Sequence, residues 1–480
     1  MGGTARELGH TTLDVEDELA QRHGFSQRNT GSQLGLVVIW WRAEPARVGE
    51  VLLPSSEPAW FGRGSQEERQ PSLCLVRQRP GRNISAAPVG DGFLSRRQLR
   101  IWRASGTRAL MVESSGKRPL LAAGTVQERL ELRAGEVMEV RGVCAFLCAE
   151  LPAVLELGAS SAHAFGAADA DGIVGESPAV WQLRQRLEFV AGRTAHVLIT
   201  GPSGAGKELL ARALHRRSAR GRRTLIARNA ATIPPNLADA ELFGNAPHYP
   251  NAGMSERPGL MGQADGSTLF LDELGELPPD VQTHLLRVLD SGEYQRLGDA
   301  RVRVADVRFI AATNRAPREL KVDLAARFAL SLPVPGLAER ARDVPLLARH
   351  LIVAIAHREP LLGERFCAGW DGVGGEPRFS AELSQALVLH QYTAHVRELE
   401  QLLWLSLQSS TANVLDCTEE VQRHLQLPAR ARHPEQVSRA ELLTALERHS
   451  GMKERVWREL GLSSRHSLSR LMRKLGEEAG

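Results

Sequence analysis

The stretch GPSGAGKE at 201–208 sets Gly201, Gly204 and Gly206 ahead of Lys207 in the order G-x-x-x-x-G-K, with Ser203 inside the loop. Glycines let successive backbone N–H groups curl around a phosphate, and a helix that begins there turns its positive end to the anion. A lysine at that place reaches the β- and γ-phosphates. Position 208 is Glu, where the general pattern has a Ser or Thr that ligates magnesium. By spacing alone the stretch could be a Gly-rich turn; the strand-like run AHVLIT before it and the helical pattern KELLARALHRR after it favour a phosphate loop. Farther along, the apolar run STLFLDE ends on Asp272 and Glu273. In a nucleotide hydrolase one such carboxylate holds Mg2+ and the other polarises the attacking water. Two acidic residues at a strand end are by themselves usually solvated. Downstream of a phosphate loop they predict a nucleotide site in which one of the two holds Mg2+ and the other the water.

These residues need a frame. AHVLIT, TLIARN, STLFLDE and VRFIAAT alternate with helical patterns, which argues a parallel sheet flanked by helices over 172–336. Residues 337–412 are helical in character. Before them, 34–150 carries short β-rich runs separated by Gly and Pro turns (LGLVVIWW, SLCLVRQ, LRIWRA, ALMVES, EVMEVRG, AFLCA), the pattern of a small all-β sandwich. Residues 1–33 are a polar tail. The Ala-, Gly- and Ser-rich stretch 151–171 reads as a linker, as does 413–437, and 438–480 is a small all-α unit. No internal repeat is present.

GPSGAGKELLARALH, ELFG, ADGSTLFLDELGELP, VQTHLLRVLDSGEYQRLG, FIAATNR and VRELEQLL occur in this order. Together they resemble the AAA+ domain of sigma-54-dependent transcriptional activators, the bacterial enhancer-binding proteins, and IVGESPAV at 173–180 resembles the family's entry segment. The likeness covers roughly 172–412. Glu208 fits it, since the family carries Glu after the Lys. The resemblance implies an α/β P-loop ATPase with a helical lid, working as a hexamer-like homo-oligomeric ring. Asp272 and Glu273 take the place of the Walker B pair, which implies Asp272 as the Mg2+ ligand of an ATP site. Asn229 corresponds to the residue that senses the γ-phosphate by pairing with Glu273, Asn314 to sensor I, and Arg397 to sensor II. Two arginine fingers from a neighbouring subunit are implied. Arg327 matches the second, but Lys321 stands at the first, and an ammonium does not replace a bidentate guanidinium.

Other departures concern the target. Family members that remodel sigma-54 polymerase carry Gly-Ala-Phe-Thr-Gly-Ala after ELFG. Here the aligned residues are His248, Tyr249, Pro250, Asn251, Ala252 and Gly253, so Pro and Asn replace the contacting Phe and Thr. Pro250 also fixes φ and removes a backbone donor. RNA polymerase is the partner that the family implies, yet this loop predicts no sigma-54 contact of the usual kind. Tyr392, Thr393, Ala394 and His395 replace a Trp-Pro-Gly-Asn, and the phosphate loop has Pro202 and Ala205 for Glu and Thr.

At the C-terminus, SRAELLTALERH opens with the capping-box pattern Ser438-x-x-Glu441. GMKERVWREL, the turn GLSS and RHSLSRLMRKLG follow, two helices joined by a Gly-containing turn. From 451 to 476 seven basic residues face two acidic ones, a local +5 (7 − 2) that suits phosphate contact. The spacing resembles the Fis-type helix-turn-helix that ends most of the family. Lys453, Arg465, His466, Ser467 and Arg470 are the DNA-contact candidates, and Leu462, Leu468 and Leu471 are expected in the core. Met452 and Val456-Trp457 depart from the family's Asn and paired alanines. A plain helical dimerisation unit is the other reading.

In the N-terminal region, FGRG (Gly62, Arg63) and Ser95-Arg96-Arg97-Gln98 resemble the Gly-Arg and Ser-x-x-His signatures of a forkhead-associated (FHA) domain, with Gln98 for the His. The likeness implies an FHA-like sandwich that grips phosphothreonine through Arg63, Ser95 and Arg96; bidentate Arg contacts suit that group. A sandwich serving interaction alone is the alternative.

Composition bounds the rest. The 480 residues are too many for one domain of about 100–200 residues. Sixty Lys and Arg against 56 Asp and Glu leave only +4, which excludes a uniformly basic nucleic-acid coat but not a local basic module. Five scattered cysteines make neither a disulfide framework nor a zinc site and fit reduced thiols. The mixed-charge N-terminus lacks a secretory core, and no apolar run approaches the roughly 20 residues of a membrane span. The expectation is a cytoplasmic regulator of DNA-templated transcription that binds ATP and Mg2+, finds promoter or enhancer DNA through its C-terminus and receives a phosphothreonine protein at its N-terminus. The competing expectation is a phosphopeptide-binding adaptor or sigma-54-independent regulator with a slow or vestigial ATPase.

Overall fold

The computed structural model describes residues 31–64, 72–104, 106, 108–156, 163–315, 320–425 and 439–448, and beyond these 456, 460, 468, 471 and 472. The N-terminal part is two facing antiparallel sheets. One runs in the order Arg82–Ser85, Val76–Arg79, Val51–Leu52, Ser32–Trp41, Cys144–Pro152, Val137–Val140, Leu120–Ala122, Thr125–Gln127; the other Arg129–Leu132, Leu110–Ser114, Leu99–Arg103, Ala59–Phe61. Between them Trp41, Phe61 and Phe146 meet edge to face with centroids 5.7–6.4 Å apart, an arrangement that aromatic quadrupoles favour. The buried indole N–H of Trp41 is satisfied by Asp91 Oδ2 at 3.0 Å.

The strand Ser32–Trp41 is covered on both faces. Leu36 and Val38 point into the sandwich core, while Val37 and Ile39 join a second core shared with the helical region that follows the central domain's sheet. Its partner Cys144–Pro152 divides likewise, with Phe146 and Cys148 inward and Ala145 and Leu147 outward. The outer residues pack with Leu347, Ile352, Leu383 and Leu387 of the helical region. The sandwich is therefore seated on those helices. Trp40 Nε1 donates to the Phe379 carbonyl at 2.7 Å, and Gln385 Nε2 to Glu139 Oε2 at 2.8 Å.

The central domain has a five-stranded parallel sheet in the order Leu225–Asn229, Thr268–Asp272, Arg308–Thr313, Val197–Thr200, Leu330–Pro333. Numbered along the chain this is 2-3-4-1-5. Its middle strands are mainly apolar and largely buried, as a sheet covered by helices on both faces requires. The helices Val344–Arg358, Pro360–Phe366, Ala381–Leu389 and His395–Ser409 form the lid.

Both expected linkers are partly structured. The last sandwich strand runs to Pro152, and within 151–171 His163 stacks on Trp181 at 5.6 Å while Asp169 pairs with Arg184 at 2.8 Å. Leu415, Cys417 and Val421, in the stretch 413–437, belong to the lid core. Helix Arg439–Arg448 contributes Leu442 and Ala445 to a small separate core with Val456, Leu460, Leu468, Leu471 and Met472. Ser438 and Leu462 lie outside the described residues. The five cysteines are free thiols, and four are buried. Among the described residues no helix is long and apolar enough to cross a membrane.

Candidate functional site

The strand Val197–Thr200 delivers the chain to Gly201, and the loop ends at Gly206, which caps the helix Lys207–Arg217 in a left-handed conformation. Lys207 is buried at the base of that helix; its Nζ donates to the carbonyls of Gly201 at 2.9 Å and Pro202 at 3.3 Å. Glu273 Oε1 lies 4.0 Å from the same ammonium. Burial pulls the Lys207 ammonium below its usual value; Glu273 and Asp272 oppose this, and Arg397 adds to it.

The carboxylate pair sits where the strand Thr268–Asp272 ends, at the same C-terminal end of the parallel sheet that carries the phosphate loop. Glu273 is held at φ +52°, an uncommon left-handed conformation for a residue with a Cβ, and its N–H donates to Asp272 Oδ1 at 3.0 Å. Glu273 Oε2 accepts from the Asn314 N–H at 3.4 Å. Asn229 stands opposite Asp272 in the strand register, and its Oδ1 accepts from the Ala231 N–H at 2.9 Å. Lys207, Asp272, Glu273, Asn229 and Asn314 thus meet at one end of the sheet. Glu208 lies on the exposed side of the first helical turn, paired with Arg212 at 2.7 Å.

The lid closes on the loop from the other side. The Val396 N–H donates to the Gly204 carbonyl at 3.1 Å, and a Cβ on Gly204 would lie 3.4 Å from that of Arg397. Glu398 orders the entry to this helix by accepting from the N–H groups of Thr393 and Ala394 and from His390 Nε2.

Two participants were not foreseen. Arg340, buried, donates from Nη2 to the Ala205 carbonyl at 3.2 Å. Asp343 Oδ1 accepts from the N–H groups of Glu176 and Ser177 at 2.7 and 2.9 Å, fixing the entry segment against the lid. The run AERARD before an apolar helix was the available signal: charges placed where no amphipathic pattern needs them.

The finger candidates lie elsewhere on the chain. Arg327 pairs with Asp290, and Lys321 Nζ donates to the Pro279 carbonyl at 2.7 Å and Thr283 Oγ1 at 3.1 Å. No described contact joins either to the phosphate loop of the same chain. In the loop 248–253, Tyr249, Pro250, Asn251, Ala252 and Gly253 are exposed, and Asn245 braces it by donating from Nδ2 to the carbonyls of Tyr249 and Ser255.

In the sandwich, Arg63 and Arg96 are exposed and Ser95 half-buried on adjoining loops. A Cβ on Gly62 would lie 2.3 Å from the Ser95 carbonyl oxygen, so only glycine lets the loops approach this closely. The Arg63 N–H donates to the Ser95 carbonyl, and Ser95 Oγ accepts from the Lys117 N–H at 3.0 Å. Gln98 is buried and bridges the loops, its Nε2 donating to the Arg118 carbonyl at 2.7 Å. The DNA-contact candidates Lys453, Arg465, His466, Ser467 and Arg470 all lie outside the described residues.

A 2-3-4-1-5 parallel sheet, a phosphate loop on its first strand, a carboxylate pair on its third and a helical lid over the loop define an AAA+ P-loop domain. Residues 173–329 match the sigma-54 interaction domain. The nitric oxide reductase transcription regulator NorR1 of Cupriavidus necator is 36% identical over 349 residues, 65% of either chain. The transcriptional regulatory protein ZraR of Escherichia coli is 33% identical over 345 residues, 67% of this chain and 75% of that one. The NtrX structure from Brucella abortus in complex with ATP is 30% identical, covering 63% of this chain and 69% of that one, with a TM-score of 0.44. The chain belongs to the sigma-54-dependent activator family. It spans about half to two thirds of the length of the nitric oxide regulators it matches.

Proposed function

We propose that the chain is an ATP-hydrolysing, DNA-bound transcription regulator that assembles as a ring and receives a phosphothreonine partner at its N-terminal sandwich. The observation that carries the ATPase reading is the meeting of Lys207, Asp272, Glu273 and the lid around one phosphate loop. In this reading Gly201, Ser203, Gly204 and Gly206 wrap the phosphates with backbone N–H groups, and Lys207 exchanges its carbonyl partners for phosphate oxygens. Asp272 would hold Mg2+, which neutralises phosphate charge. Among the described residues no cluster of three His, Cys, Asp or Glu could hold a metal alone, and Mg2+ ordinarily takes one or two carboxylates and completes its shell from phosphate and water. Glu273 orients the water, Asn229 and Asn314 sit beside it to register the γ-phosphate, and Arg397 reaches in from the lid. Arg327, exposed, is suited to serve a neighbouring subunit's site.

Steady-state ATPase and nucleotide binding of the wild type and Glu273→Gln test this. Turnover in the wild type and its loss in a variant that still binds ATP are expected; a wild type without turnover would sink the hydrolytic reading. One observation favours the alternative, a phosphopeptide-responsive adaptor with a slow ATPase: Lys321 stands at the first finger and its ammonium is already engaged by Pro279 and Thr283.

The exposed loop at 248–253 presents Tyr249, Pro250 and Asn251 in place of Phe and Thr. In our reading the ring does not grip sigma-54 in the usual way and acts on polymerase by another contact or gates assembly. Open-complex formation on a sigma-54 promoter with purified components decides it, strong ATP-dependent activity being the adverse result. Fis-type DNA binding rests on the family and on the local +5, and a gel shift with Arg465→Ala/Arg470→Ala should lose retention.

A further inference from the structure

A cavity of about 570 Å³ lies in the seam between the sandwich and the lid, apart from the nucleotide and phosphothreonine loops. Its apolar walls come from both parts: Ile39, Trp40 and Val48 from the sandwich, Pro345, Ala348 and Leu387 from the lid. A volume of this order at a domain seam suits a small organic ligand.

The charged groups on the lining are unequal in sign. Arg42, Arg349 and Arg378 stand against Glu376 alone. Glu376 Oε2 accepts from Arg349 Nη2 at 2.5 Å, so one cation is neutralised. Arg378 Nη1 donates to the neutral carbonyl of Arg365 at 3.1 Å, and Arg42 has no ion pair among the described residues. Two guanidinium charges without a carboxylate therefore border an apolar chamber. Guanidinium recognises carboxylate bidentately and is weakly enough hydrated to do so beside apolar surface. A cationic or neutral polar occupant would leave that charge unanswered, and a highly charged phosphate would meet apolar walls. We infer that the seam cavity is a binding site for a small apolar carboxylate, an aromatic or medium-chain aliphatic monoacid, with its body between Trp40 and the lid and its carboxylate toward Arg42 and Arg378.

The test uses the full chain and two matched pairs of probes, 2-naphthoate with 2-naphthamide and octanoate with octanamide. Each pair keeps the apolar body and removes the charge. Calorimetry is expected to show one site per chain for at least one carboxylate with a Kd of about 1 mM or tighter, and at least about tenfold weaker binding of its amide. Tryptophan emission should change on binding, and Trp40→Phe should remove most of that change. Arg42→Glu, at an exposed position, should weaken the carboxylate by at least about tenfold while leaving the amide as it was. Ala348→Trp should abolish binding by filling the chamber. If that variant does not fold, Ser384→Leu fills the same space from the neighbouring helix. The inference is overturned if neither carboxylate binds, if amide and carboxylate bind alike, or if binding survives Arg42→Glu and a folded filled variant unchanged.

Discussion

The Val396 N–H is bonded to the Gly204 carbonyl at 3.1 Å, which ties the first turn of a lid helix to the phosphate loop itself. The approach is close enough that a Cβ on Gly204 would lie 2.1 Å from the Ala394 carbonyl oxygen, and Gly204 sits at φ +77°. A side chain there would push the lid off and also strain the loop by about 1–2 kcal/mol. Gly204→Ala should therefore weaken binding of a fluorescent ADP by at least about tenfold with the far-ultraviolet circular dichroism unchanged. Wild-type affinity in this variant would show that the lid contact has no part in holding nucleotide.

His395, one residue before Val396, gives the lid a pH dependence. Its Nδ1 accepts from the Leu337 N–H at 3.1 Å, and the residue is held at φ +50°. Burial pulls its pKa below 6.5, Arg340 and Lys207 adding to this and Glu398 and Glu339 opposing it. The folded state thus binds the proton less well than the unfolded chain. The stability His395 contributes is present above the unfolded value of 6.5 and is lost as pH falls through the depressed folded value. The thermal midpoint measured from about pH 7.5 down to about pH 5.5 should drop in the wild type. In His395→Asn, which tolerates the left-handed backbone and keeps an acceptor, the drop should be smaller. His196 and His350 are depressed by burial too, so the difference between the two profiles is the quantity to read. Identical profiles would remove His395 from the account.

The residues that meet at the end of the parallel sheet were legible as a group because they lie in short, ordered stretches: a glycine-rich loop after a strand, two carboxylates after another. Arg340 was not, because it reaches Ala205 from far along the chain and only the folded lid brings them together. The seat of the sandwich on the lid was missed for a different reason. The run LVVIWW predicts one strand of a sandwich, but an antiparallel strand with a solvated outer face alternates, and this one does not. The unbroken run records two cores, one on each face.

That double burial carries a prediction of its own. Ile39 is 1% exposed and lies in the core shared with the lid, not the one inside the sandwich. Ile39→Ala should cost about 2–5 kcal/mol, toward the lower end of that range because Ile39 also borders the seam cavity. In the proposed ATPase the lid also helps hold nucleotide, so saturating ADP should raise the hydrogen-exchange protection of the strand Ser32–Trp41 in the wild type and raise it less in Ile39→Ala. Protection of that strand indifferent to ADP in both proteins would mean that sandwich and lid open independently.

The loops carrying Arg63 and Ser95, proposed to take phosphothreonine, allow a sharper separation of binding from structure. Gly62 lets the two loops touch, and the Arg63 N–H to Ser95 carbonyl bond at 3.0 Å uses only backbone atoms. The Arg63 side chain is exposed and takes no part in that scaffold. Arg63→Ala should leave the thermal midpoint within about a degree, as surface changes usually do. It should remove a charge-assisted bond to phosphate and weaken a phosphothreonine peptide by at least about tenfold in a polarisation titration. Gly62→Ala should lose the peptide and lower the midpoint together, since its Cβ meets the Ser95 and Arg96 carbonyl oxygens. Equal, phosphate-independent binding of peptides by the wild type and Arg63→Ala would instead assign the sandwich to interaction alone.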